Sequence, residues 1–101
     1  MDEPVKVRYH RLVDRDAGRA FRYYQDEGGR DLAERFYREF TRRITEAAVN
    51  PERFPPIASG LRRANLRRFP WHFLYRIQPG AITVLVLRHD KSHPDRGVKR
   101  K

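Results

Sequence analysis

The chain contains no cysteine, so it can form neither a disulfide nor a thiolate zinc site. Its four histidines, His10, His72, His89 and His93, stand at no recognisable zinc spacing, and neither a metal nor a cofactor is expected. No apolar run approaches the ~20 residues that cross a bilayer. The opening MDEPVKVRYH is too polar for a signal peptide, so a soluble cytoplasmic protein without membrane attachment is the expectation. Acids are scarce as well. Asp and Glu number 13 against 23 Lys and Arg, a formal net charge of +10 on 101 residues. A small protein so one-sided in charge seeks phosphates, an acidic protein or an anionic surface. Its length fits a single domain over residues 1–101.

Val5, Val7 and Tyr9 alternate with Lys6, Arg8 and His10, the pattern of a half-buried edge strand. Asp14 and Asp16 are N-cap candidates for a helix carrying Ala17, Ala20, Phe21 and Tyr24 at helical spacing. Gly28-Gly29 should end it. A second helix is expected from about Arg30 to Val49, with Leu32, Phe36, Phe40 and Ile44 as its apolar stripe. Glu34–Arg38 and Glu39–Arg43 have the favoured i,i+4 order for ion pairs on its other face. Asn50-Pro51 stops it, and PERFPPIASG follows as an irregular connection. Leu61 to Arg68 is a short basic strand candidate. The predicted class is α+β: two N-terminal helices on a small, twisted, mainly antiparallel sheet, in the order β-α-α-β-β-β. Residues 90–101 read as a mobile basic tail.

The charge is unevenly spread. Between Glu52 and Asp90 there is no carboxylate, yet Arg53, Arg62, Arg63, Arg67, Arg68, Arg76 and Arg88 lie there. The same stretch contains the most regular β pattern, LRRFPWHFLYRIQPGAITVLVLRH. Trp71, Phe73, Tyr75 and Ile77 alternate with His72, Leu74 and Arg76. Pro79-Gly80 makes a tight turn, and Ile82 to Leu87 reads as a strand buried on both faces. With Gln78 paired to Ala81, regular pairing puts Leu74 opposite Leu85, His72 opposite Leu87 and Pro70 opposite His89. His72, Arg76 and His89 then share one face, the imidazoles about 7–8 Å apart as diagonal neighbours. The aromatic face, with Trp71 and Tyr75, packs on the helices.

Two histidines and an arginine on an open sheet face would suit cleavage of an RNA phosphodiester. Histidine moves protons near neutral pH, and a guanidinium stabilises the charge that develops on phosphorus. His89, His72 and Arg76 are therefore catalytic candidates. Arg62, Arg63, Arg67, Arg68, Arg88 and Lys91 are candidates for nucleic-acid binding. The alternative is that both histidines are ordinary sheet residues and that Arg67 and Arg68 mark a solvated strand end.

The element order, NPERFP after the second helix, LRRFPWHFLYRI and VLVLRHDKSHP together resemble the RelE/ParE toxin superfamily, or plasmid stabilisation proteins, from Val5 to about Pro94. The resemblance implies the toxin of a type II toxin–antitoxin pair, partnered by a cognate antitoxin with an acidic or amphipathic segment. RelE-like members cleave mRNA on the ribosome; ParE-like members inhibit DNA gyrase. The implied activity is a ribosome-associated mRNA endoribonuclease or a degenerate relative. The alternatives are a non-enzymatic gyrase inhibitor or a basic nucleic-acid-binding domain. His89 matches the family histidine after the last strand. His72 stands where nuclease members carry arginine, Lys91 and Ser92 replace an Arg-Arg pair, and no tyrosine follows His93.

Overall fold

The Pro79-Gly80 turn joins the two longest strands, β3 (Trp71–Gln78) and β4 (Ala81–His89), which pair antiparallel at the centre of the sheet. Gly80 has φ 68, the positive value required of a turn glycine at this position. This computed structural model describes residues 3–101. The flanking strands are β1 (Lys6–Tyr9) and β2 (Arg62–Asn65), giving the order β1-β4-β3-β2. β2 pairs antiparallel with β3, and β1 pairs parallel with β4, so the sheet is mixed and β1 is an edge. No helix among the described residues is long and apolar enough to cross a membrane.

Between β1 and β2 runs a helical element, α1 (Val13–Val49), whose two arms follow each other without a connecting loop. It is broken at Gly29, whose φ 82 and ψ −177 are open essentially to glycine alone. In a straight helix Tyr24 and Phe36 would be ~18 Å apart along the axis. Their rings instead stack with centroids 5.0 Å apart, so the chain doubles back at Gly29. The proposed aspartate caps do not form: Leu12 is the N-cap, without a side-chain hydrogen bond.

The inner sheet face meets this helix. Phe73, Tyr75, Ile82 and Val84 pack with Ala20, Phe36, Phe40 and Ile44, all essentially buried. Trp71 Nε1 donates to Tyr24 Oη at 2.9 Å, and the Tyr75 hydroxyl donates to Pro51 O. These polar ends thus have partners within an apolar setting.

Regular pairing holds from Gln78–Ala81 through Arg76–Thr83 to Tyr75–Val84, then slips. Leu74 pairs with Val86, so Leu85 is an extra residue, and a β-bulge shifts everything beyond it by one position. His72 faces Arg88, and Trp71 faces His89. Both Leu85 and Val86 join an outer cluster with Leu61 and Leu74. The bulge gives this outer face two adjacent apolar side chains to cover.

What covers them is residues 90–101, which are packed rather than free. Val98 lies on the outer cluster. Gly97 approaches Val86 so closely that an added Cβ would meet its Cβ at 2.5 Å. Arg100 Nη1 donates to Leu85 O at 3.0 Å and pairs with Asp16 at 2.6 Å. Asp16 in turn accepts from Leu87 N at 3.2 Å. β1 ends at Tyr9, opposite Val84, so the next stretch of the β4 edge lacks a strand partner. The Asp16–Arg100 pair satisfies the backbone groups exposed there.

Candidate functional site

The bulge decides the fate of the histidine pair. It turns His89 onto the inner face, where its ring meets Trp71 edge-on at 5.4 Å between centroids. His72 remains on the outer face, 1% exposed. The shared face expected from regular pairing is overturned, and the sheet itself separates the imidazoles.

His72 has no ring nitrogen left for a substrate. Arg88 Nε donates to its Nε2 at 2.8 Å, so the proton sits on Nδ1 and is donated to Asp90 Oδ1 at 2.7 Å. Burial lowers the imidazole pKa from its ordinary 6.5; Arg63 and Arg88 push the same way, while Asp90 opposes them. Burial likewise lowers the pKa of Arg88, whose Nη1 donates to the carbonyls of His93, Pro94 and Arg96. Together His72 and Arg88 pin the C-terminal segment to the sheet. His89 uses its Nδ1 to accept from Lys91 N at 3.0 Å. Arg76 is half-buried opposite Thr83, beside the turn and ~13 Å along the strand from His72. The three catalytic candidates are not brought together.

The binding candidates divide similarly. Arg62 Nη1 donates to Glu52 O and Phe54 O, bracing the irregular connection. Arg63 reaches Asn65 and Asp90. With Arg88 buried, only Arg67, Arg68 and Lys91 of that set are exposed.

Arg67 and Arg68 face three further arginines that sequence reasoning missed. Arg35, Arg38 and Arg42 project from the second arm of α1, and with the loop after β2 they line a cleft of about 490 Å³. Leu32 and Phe69 form its apolar part. Phe69 is fixed edge-on to Phe36 and Tyr24, with centroids 5.2 and 4.9 Å away.

The anticipated i,i+4 pairs hid this site. Glu34 pairs with Arg30, not Arg38. Glu39 turns away from Arg43 and accepts from the backbone N–H groups of Arg67 and Arg68. Arg43 is buried over the Phe54 ring and pairs with Glu46. Among the described residues, no carboxylate lies within ion-pair distance of Arg35, Arg38, Arg42, Arg67 or Arg68. The signal present in the sequence was the spacing itself, since 35, 38 and 42 fall on one helical face.

A second concavity, of about 560 Å³, lies between the arms of α1 beside the β1 edge. Phe21, Phe40 and Tyr37 line it with Tyr9, and these last two rings are about half exposed.

The family described as "ParE toxin of type II toxin-antitoxin system, parDE" matches residues 7–94. Toxin ParE2 of Mycobacterium tuberculosis, in strains CDC 1551 and H37Rv, is 34% identical over 94 residues, covering 89% of this chain and 86% of the relative. Two solved structures share the fold. The chromosomal ParDE system from P. aeruginosa superposes with TM-score 0.75 at 16% identity, over 84% of this chain and 95% of the other. The toxin–antitoxin complex RelBE2 from Mycobacterium tuberculosis gives 0.63 at 21% identity, over 88% and 97%.

Proposed function

The chain belongs to the ParE toxin family of type II toxin–antitoxin systems, and on that premise we propose that it arrests growth by binding its target rather than by cutting RNA. The observation that carries this reading is the burial of His72 between Asp90 and Arg88, with both ring nitrogens occupied. Cleavage by a histidine pair needs one group to take the 2′-hydroxyl proton and another to protonate the departing oxygen, both within reach of one phosphate. Here one imidazole is sealed in a hydrogen-bond network and the other lies across the sheet. ParE-like members of the superfamily inhibit DNA gyrase, and gyrase is the target we assign, in the cytoplasm.

The cognate antitoxin is the second partner. The groove between the arms of α1 suits the apolar face of an amphipathic segment, with Phe21 and Tyr37 as contacts, Phe40 at its floor and Tyr9 at the margin. The positive surface suits an acidic continuation of that segment.

A supercoiling assay tests the reading. Purified toxin should inhibit gyrase on relaxed plasmid, and added antitoxin should reverse the inhibition. Undisturbed supercoiling at every toxin concentration would rule out gyrase as the target.

A further inference from the structure

We propose that the cleft between α1 and the loop following β2 binds the sugar–phosphate backbone of DNA, with Arg35, Arg38 and Arg42 on one wall and Arg67 and Arg68 on the other.

The fold leaves the positive charge of this cleft uncompensated. Two carboxylates line the cleft, Glu39 and Glu46. Glu39 is occupied with the backbone of the loop, and Glu46 is shared by Arg43 and Arg53. Neither pairs with the five guanidinium groups at the mouth. Holding so many like charges together opposes folding unless an anion joins them.

The spacing of the charges selects among anions. Arg35 to Arg42 spans ~10 Å of helix axis. A DNA strand carries one phosphate per ~3.4 Å of axis, so ~3 phosphates fit that length. An extended acidic peptide shows only alternate side chains to one face, ~1 carboxylate per 7 Å at most. An acidic helix presents ~1 per turn of 5.4 Å. The phosphate backbone therefore matches the arginine row best, and the guanidinium fork pairs with phosphate through two parallel hydrogen bonds.

The backbone of both walls is held in place. Arg67 and Arg68 sit on a loop whose amides are held by Glu39 and whose next residue, Phe69, is locked among Tyr24 and Phe36. The second wall is helix. Little ordering is required when the ligand arrives, so less of the interaction is lost to entropy. Apolar contact from Leu32 and Phe69 suits deoxyribose between phosphates.

This inference does not rest on gyrase, and its test contains none. Binding of a short fluorescein-labelled DNA duplex to the full chain is followed by anisotropy across a salt series. The Arg35→Ala/Arg38→Ala/Arg42→Ala variant should fold, because Ala is the best helix former and, among the described residues, none of the three arginines makes an ion pair. It should bind at least tenfold more weakly, with the slope of log affinity against log salt reduced by about 3. Arg67→Ala/Arg68→Ala should lower the slope by about 2. The charge-matched control Arg11→Ala/Arg15→Ala/Arg19→Ala removes three exposed cations that line neither concavity. It should retain most of the slope. Equal weakening in the control would reduce the effect to net charge and overturn the site. So would capture of poly-glutamate by the cleft with no binding of DNA, which would assign it to an acidic peptide.

Discussion

Arg88 Nε donates to His72 Nε2 at 2.8 Å, and this buried contact fixes which imidazole nitrogen carries the proton. Protonating Nε2 would set an N–H against an N–H beside a second positive charge. The native state therefore holds His72 neutral, and its pKa is lowered by burial and by Arg63 and Arg88. Below the ordinary histidine value the unfolded chain binds the proton more readily than the folded one. The stability from neutral His72 is full above 6.5 and is lost as pH falls toward the lowered native value. Urea midpoints measured from pH 7.5 down to 5 should fall, and His72→Ala should remove that part of the slope. A His72 contribution that grew on acidification would contradict this tautomer.

His72→Ala should also cost stability at neutral pH, by about 2–4 kcal/mol, because it strands a hydrogen-bonding edge of a buried guanidinium. A domain of this size has ~5–15 kcal/mol in total. The loss is therefore visible as a lowered melting temperature, and the C-terminal segment should gain protease sensitivity first.

Asp16 and Arg100 are 84 residues apart in sequence and form a bidentate pair, with the carboxylate only 2% exposed. Arg100→Ala leaves that charge uncompensated and should cost about 3–5 kcal/mol. Adding Asp16→Ala should recover part of the loss, since the stranded charge goes too. A double-mutant cycle by urea denaturation reads the coupling. Additive losses would show that the two residues act separately.

Gly29 turns the helix back with φ 82, and an added Cβ there would meet nothing within 4 Å. The penalty of Gly29→Ala is then conformational alone, about 1–3 kcal/mol. Gly97→Ala, which drives a Cβ into Val86 as well as occupying φ 79, should cost more. Thermal denaturation of the two variants ranks them.

Glu39 is the fixed point of the arginine cleft. Glu39→Ala removes the acceptor from two consecutive amides, so hydrogen exchange at Arg67 and Arg68 should accelerate while that at Phe73 and Val84 stays slow. Unchanged protection at Arg67 and Arg68 would show that the loop is held by other contacts.

Local rules located most of this architecture. Alternation found β1 and the hairpin, and Pro79-Gly80 set the register through Tyr75. The bulge at Leu85 lay beyond those rules, because an unbroken run of apolar residues carries no period to betray an extra one. That single residue moved His89 to the other face and dissolved the proposed histidine site. Asp16 looked like a cap because caps and buried ion pairs use the same residue; its partner came from the far end of the chain. The i,i+4 order suggested Glu34 for Arg38 and Glu39 for Arg43, but Glu34 pairs with Arg30 and Glu39 holds the loop amides of Arg67 and Arg68. For Asp16 and Glu39 a long-range partner displaced a local one.

The most direct measurement is a reconstituted translation reaction with end-labelled mRNA and purified toxin, read by primer extension beside a gyrase supercoiling assay on the same preparation. Intact mRNA with inhibited supercoiling is the predicted result. Position-specific mRNA cuts, lost in His89→Ala, would contradict it and restore a nuclease centre that the buried His72 otherwise denies.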